Sequence, residues 1–225
     1  MKALFLKRPF DILLSSLGIL LSSPLWLFVA VLIWLEDQGP VFYKQDRVGE
    51  GGHPFKVIKF RSMIKTAEEG IGPVQAKDND PRITRVGKIL RATAMDELPQ
   101  LLNILKGDMS FVGPRALRPE EVEDRYWDYD SYMVDSASSE LLDLAENTQP
   151  VPMENIKGYF ERQSIRPGLT GPAQIYLPGN APRRRKFRVD LLYIRKRSFG
   201  LDLRLILLSF WITFRGKWVS RDKKV

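Results

Sequence analysis

Between Ile12 and Leu35 the chain runs for 24 residues without a charge, and nothing else in it limits the folding options so sharply. As an α-helix this run extends about 36 Å, enough to cross the hydrocarbon core of a bilayer. A cleaved secretion signal fits poorly, because the apolar stretch continues well past any processing point at Ser22-Ser23. Pro24 interrupts the run. It has no N–H for the Leu20 carbonyl and its ring collides there, so a helix must kink, and the hydroxyls of Ser22 and Ser23 are placed to satisfy the freed groups. Two shapes meet these conditions. One is a kinked helix that spans the membrane. The other is a re-entrant hairpin over residues 1–36 that leaves by the face it entered, with its break at Ser23 and Pro24. Lys2, Lys7 and Arg8 favour a cytoplasmic N-terminus. A spanning helix would then separate residues 37–225 from every cytosolic partner, whereas a re-entrant one keeps them together.

Those partners are anionic on charge grounds. Lys and Arg number 35 against 27 Asp and Glu, a net charge of +8, with a pI near 9.7. Nucleotides, phospholipid surfaces and nucleic acid all fit such a balance. No RNP, helix-turn-helix or zinc-finger pattern accompanies the basic runs, so nucleic acid is set aside. Cysteine is absent, which excludes disulfides and Cys-based zinc and agrees with the cytosol. The only histidine, His53, sits in a Gly51-Gly52-His53-Pro54 turn, so a His-cluster metal site is excluded. Carboxylate oxygens for a hard cation remain.

The polar part reads as a small mixed α/β, helix-rich domain. Pro54–Met63 alternates as a strand, placing Lys59 and Arg61 on the same side as Phe55 and Val57. Helices are expected at 85–91 and 97–106, the second burying Leu98, Leu101, Leu102 and Leu105 at helical spacing. Loops rich in Gly, Pro, Asp and Asn are expected at 64–80 and 166–186. Over 200–219, Leu203, Ile206, Leu207, Phe210, Phe214 and Trp218 form an apolar face with basic flanks, either a core-packing helix or an interfacial helix on an anionic leaflet. Arg183–Lys186 and Arg195–Arg197 also point to such a surface. Residues 117–160 are acidic but interleaved with Tyr126, Trp127, Tyr129 and Tyr132, the pattern of a helical insert, a protein-binding surface or a homodimer contact.

Chemistry concentrates at Asp96-Glu97. An N-cap followed by an acid in the first turn explains that pair in many proteins. Here Arg82, Arg85, Lys88 and Arg91 precede it, and Lys106 and Arg115 follow. Such cations would hold a phosphate against two acids, which is useful if an acid reacts with the phosphate or binds a metal that does.

The block Asp80–Arg115, with Lys7-Arg8-Pro9-Phe10-Asp11, Ser23-Pro24, Gly39–Gln45, Arg47-Val48-Gly49, Pro54–Met63 and Arg166–Gly171 in that order, resembles the bacterial sugar transferases, the monotopic phosphoglycosyl transferases. The likeness covers all but about residues 117–160. It implies the re-entrant helix, a cytosolic catalytic domain over 37–225, and a place on the cytoplasmic face of a bacterial inner membrane. It further implies a UDP-sugar donor, a polyprenyl (undecaprenyl) phosphate acceptor and Mg²⁺. By motif position Asp96 is the nucleophile that forms a phosphosugar-aspartyl intermediate, and Glu97 is a metal ligand or orienting group beside it. Asp96 is then expected to be ionised by a helix N-terminus and nearby arginines. Lys59, Arg61, Arg91 and Arg115 are the phosphate contacts, and Asp190 is a further family acid. Two departures stand out: Pro114-Arg115-Ala116 where Pro-Arg-Pro is common, and Pro172 where tryptophan is common. An inactive scaffold of the same fold would be marked by loss of Asp96 or Glu97, and both are present. A basic membrane-surface module would not need the Asp80–Arg115 block.

Overall fold

The computed structural model describes residues 4–69, 80–119, 121–123 and 151–215. In chain order the elements are α1 (Lys7–Asp37), β1 (Phe42–Val48), β2 (Pro54–Phe60), α2 (Arg85–Ala92), a 3-10 turn (Met95–Glu97) and α3 (Gln100–Lys106). There follow β3 (Ser110–Val112), β4 (Val122–Glu123), β5 (Val151–Pro152), α4 (Tyr159–Arg162), β6 (Gly168–Thr170), α5 (Pro172–Tyr176), α6 (Arg183–Lys196) and α7 (Phe199–Phe214). The fold is helix-rich mixed α/β, as the sequence suggests. Its sheets are small pairs: β1–β2 and β4–β5 antiparallel, β3–β6 parallel. The glycine turn with exposed His53 joins β1 to β2 and sets Tyr43 opposite Lys59.

Three apolar clusters hold the elements. The largest gathers Val57, Ile104, Met109, Val112, Ile175 and Leu205, with Leu14 and Ile19 of α1 packed against it. A second joins Val29 and Ile33 of α1 to Phe60 and Leu90, with Leu25 and Trp26 alongside. The third, Leu117, Met153, Ile156, Tyr159 and Phe187, shows that both ends of the 117–160 segment belong to the domain. The middle of that segment, with its acids and tyrosines, lies outside the described residues, as does Trp218.

The apolar run forms α1, the described helix that by length and composition could cross a membrane. Both of its ends are bonded to the polar domain. Lys7 pairs with Asp202 at 2.5 Å, Arg8 donates to the Ile104 and Leu105 carbonyls at the end of α3, and Asp11 accepts from Phe111 N–H. At the other end Asp37 accepts from Arg61, and the Glu36 carboxylate accepts from the Arg85 and Val86 N–H groups at the start of α2. Residues 20–24 are the stretch between the parts of α1 that pack on the first and second clusters. Pro24 lies within them, and the helix is continuous through it rather than split in two. The interruption is confined to one carbonyl: the Ser23 hydroxyl donates to Leu20 O at 2.8 Å, the bond Pro24 cannot make, and Ser22 donates to Gly18 O.

Four local expectations need correction. The 97–106 helix divides, because Ala94 enters the left-handed region (φ 55°) and starts the 3-10 turn, so α3 begins only at Gln100. Within α3 the deepest residue is Ile104, while Leu102 and Leu105 are half-buried, as is Leu98 in the turn before it, since the helix packs on α1 and on β2 at once. The 166–186 region is loop only in part, chiefly over 177–182. Gly168 and Gly171 approach the backbone of Gly113 so closely that a Cβ would collide, which lets β6 pair with β3, and Pro172 then opens α5 at a position that needs no N–H. Finally, α7 is apolar on two sides. Leu205, Ile206 and Ile212 are buried, while Leu207, Phe210, Trp211 and Phe214 are exposed, so it packs on the core and presents an apolar surface.

Candidate active site

The β1–β2 hairpin, the turn after α2, and α6 converge on one cleft of about 1030 Å³. Lys59, Arg61, Arg91, Asp96, Glu97, Arg115 and Asp190 all border it. The strained turn forms part of its wall. A non-glycine residue in the left-handed region costs on the order of 1 kcal/mol and is tolerated where surroundings enforce it. Ala94 does so, and thereby places Asp96 and Glu97 one turn before α3.

The two acids differ in their electrostatics. Lys59 Nζ stands 2.5 Å from Glu97 Oε1. Burial works to raise Glu97, but Lys59, Arg115 and hydrogen bonds from Lys59 and Gln100 outweigh it, so its carboxyl is held below the usual range. Asp96 moves the other way. Burial, with the neighbouring Glu97 charge, pushes it up to about 6 against the pull of Lys59 and Arg91. The expectation of an Asp96 kept low by a helix N-terminus fails: α3 starts after it, and Pro99 at the cap offers no side chain to the helix.

The cations divide into free and committed groups. Arg91 donates from Nε to the Ser62 hydroxyl at 2.8 Å and keeps an exposed head. Arg115 is exposed above Glu97. Arg61 is buried: it pairs with Asp37 at 2.8 Å, and a side chain at Gly39 would overlap its Nη1. It braces the end of α1 more than it reaches into the cleft. Asp190 is equally committed. Its carboxylate accepts from Arg162 Nε at 2.8 Å, and burial raises it above the usual range despite Arg162 and Lys186. Arg162 in turn lies 4.3 Å over the Phe187 ring and donates to the Arg115 carbonyl, so Asp190 supports Arg115 from behind.

Sequence reasoning missed Arg162, Arg118 and Gln174 as cleft residues, and it assigned Arg183–Lys186 to a membrane surface. Arg183 and Lys186 instead line the cleft, with Arg183 paired to Glu121. A basic residue in the first turns of a helix gives no sign in sequence of which face it takes. For a metal, the described residues hold no cluster of three or more His, Asp or Glu side chains. Mg²⁺ commonly uses one or two carboxylates plus substrate phosphates and waters, so Asp96 and Glu97 fit it without a protein cage. The raised Asp96 carboxyl is also what a nearby cation would lower.

The family model for bacterial sugar transferases matches residues 2–216. The chain is 40% identical over 215 residues to the UDP-N-acetylgalactosamine-undecaprenyl-phosphate N-acetylgalactosaminephosphotransferase of Aeromonas hydrophila, covering 94% of this chain and 44% of that protein. It is 38% identical over 221 residues to the UDP-glucose:undecaprenyl-phosphate glucose-1-phosphate transferase of Escherichia coli K12, covering 94% and 41% respectively. With the exopolysaccharide production protein PSS of Rhizobium leguminosarum bv. phaseoli it shares 39% over 208 residues, 90% of this chain and 92% of that one. The chain thus spans less than half of the first two relatives and nearly all of the third. A near-complete family match, over a chain whose motif residues border one cleft, places this protein in the bacterial sugar transferase family.

Proposed function

We propose that the protein is a phosphoglycosyl transferase that moves a sugar 1-phosphate from a UDP-sugar to polyprenyl phosphate and releases UMP, the first membrane step of glycan assembly. The observation that carries this reading is the acid pair in one cleft: Glu97 paired with Lys59 at 2.5 Å, half-buried Asp96 beside it, and Arg91 and Arg115 bordering the same cleft. The Aeromonas and Escherichia relatives are named for undecaprenyl phosphate, which supports the acceptor. Their sugars differ, so the donor is stated only as a UDP-sugar.

In this reading an ionised Asp96 oxygen attacks the β-phosphorus, forming an acyl phosphate and breaking the bridging P–O bond, whose electrons leave with UMP. An oxygen of polyprenyl phosphate then attacks the same phosphorus, and the Asp96 carboxylate departs unchanged. Arg91 and Arg115, both exposed on the cleft, bind and orient the diphosphate. Lys59 keeps Glu97 ionised and in place. Mg²⁺ held by Asp96 and Glu97 would neutralise the diphosphate and the leaving UMP.

The same proposal covers location. The enzyme sits on the cytoplasmic face of the inner membrane as a monotopic protein, with α1 dipping in around Ser23-Pro24. Support comes from the bonds that tie both ends of α1 to one domain and from exposed Leu13, Leu20, Leu21, Leu27 and Phe28.

Mass spectrometry after incubation with UDP-sugar alone tests the chemistry. Wild type should carry a phosphosugar on the peptide containing Asp96, and Asp96→Asn should carry none and turn over at background while remaining folded. An adduct elsewhere, or normal turnover by Asp96→Asn, sinks the mechanism.

A further inference from the structure

The active-site cleft does not end at the phosphate-binding groups. It continues into a portion walled by Leu14 and Gly18 of α1 and by Ile206, Ser209, Phe210 and Thr213 of α7. On each helix these residues are spaced three or four apart, so each presents a single stripe to the cleft. The helices meet near their starts, where Phe10 packs edge-on against Phe199 at 5.2 Å and Lys7 pairs with Asp202. Both also pack on β3, and Phe111 and Leu169, from β3 and β6, line the cleft as well. Ser209 keeps side-chain bulk small on the α7 wall, while Gly18 lets α1 sit close to Leu101 of α3. The Thr213 hydroxyl is turned back onto the Ser209 carbonyl, leaving its methyl for an apolar neighbour. The outer faces of the same helices carry exposed Leu13, Leu17, Leu207 and Trp211.

We propose that this notch between α1 and α7 is where the isoprenoid chain of the acceptor enters and is held, with its phosphate delivered toward Asp96. The inference rests on the transferase reading above and adds a binding site to it. Continuity is the argument. One cleft has Lys59, Arg91 and Arg115 around the acid pair and apolar walls toward the two helices whose outer faces suit lipid. A phosphate on a long hydrocarbon chain needs both ends at once. A UDP-sugar offers only the faces of its uracil ring as apolar surface and has no hydrocarbon chain to cover such walls, and apolar surface gains only from apolar contact.

Filling the notch separates the two half-reactions. Ser209→Phe and Leu14→Trp add bulk on the α7 and α1 walls of the notch. Each should slow transfer from the preformed phosphosugar enzyme to undecaprenyl phosphate by about tenfold or more relative to its effect on adduct formation. Transfer to geranyl phosphate, which is too short to occupy the notch fully, should fall several-fold less. Equal losses for the two acceptors, or a loss confined to adduct formation, overturn the inference. A second measurement guards against misfolded variants: wild type is irradiated with an undecaprenyl phosphate analogue carrying a photoreactive group near its phosphate end. Crosslinks on residues 14–18 or 206–213 are expected, and their absence from both helices overturns the site. If wild type forms no adduct at all, the transferase chemistry itself has failed, which is a different result.

Discussion

Burial lifts Asp96 to about 6 while Lys59 and Arg115 hold Glu97 low, so the two neighbours make opposite contributions to stability. A carboxyl whose folded-state value lies above its ordinary 3.8 binds its proton more tightly when folded. Its contribution is therefore complete at low pH and is lost as pH rises through about 6. In detergent without divalent cations, wild type should lose on the order of 1 kcal/mol relative to Asp96→Asn between about pH 4 and pH 7. Parallel melting temperatures for the two proteins across that window would show that the Asp96 carboxyl is not raised in the folded protein. The arginines give a second prediction. Lys in place of Arg91 or Arg115 keeps the charge and loses the bidentate fork, so kcat/KM should drop about tenfold, or about 1.4 kcal/mol. Full activity in both Lys variants would leave these residues outside the phosphate contacts. The motif residues were legible because they cluster in sequence between Lys59 and Arg115. Partners were not: Asp37 for Arg61 and Arg162 for Asp190 are set by long-range packing, and that packing commits two expected ligands to ion pairs.

Elements with a strong internal period were read correctly. The uncharged run is α1, the alternation expected over 54–63 is β2 as far as Phe60, and α2 falls at Arg85–Ala92 with Thr84 as its cap. Three-residue strands carry no such period. β6 exists because glycines let it approach β3, a contact no local pattern announces. α7 was half legible, since residues apolar on both sides show no single stripe. Inside α1 the proline and its serine make a testable pair. Ser23 donates to the carbonyl that Pro24 orphans, whereas the Gly18 carbonyl that Ser22 contacts already sits in the helical ladder. In lipid an unsatisfied carbonyl costs about 1–3 kcal/mol. Ser23→Ala should therefore lower the melting temperature in nanodiscs clearly, and Ser22→Ala hardly at all. Pro24→Ala restores the missing N–H, so Ser23→Ala should become nearly neutral in that background. Equal costs of Ser23→Ala with and without Pro24 would mean the hydroxyl does not serve the freed carbonyl.

The assembled molecule is bound at both ends of its apolar helix to one domain, and this governs how it can meet a membrane. Lys7, Arg8 and Asp11 fasten the start of α1 to α7, α3 and β3, while Glu36 and Asp37 fasten its end to α2 and Arg61. A membrane-spanning α1 would have to break one of these sets, leaving Arg61 or Asp202 buried without its charge partner, at a cost of about 3–5 kcal/mol. Entry and exit on the same face keeps both sets and sinks residues near Pro24 into the bilayer. Native cysteine is absent, so single cysteines at Lys2 and Lys65 report sidedness against no background. Both should resist a membrane-impermeant thiol reagent in intact cells and react once the membrane is permeabilised. Arg61→Ala should release the end of α1 and, with Lys65→Cys, allow a fraction of the protein to label differently from Lys2→Cys. Labelling of the two cysteines on opposite sides in otherwise native protein would establish a true span. It would require that one set of anchoring bonds opens in the membrane, and the Asp96 chemistry would have to meet its lipid acceptor by another approach.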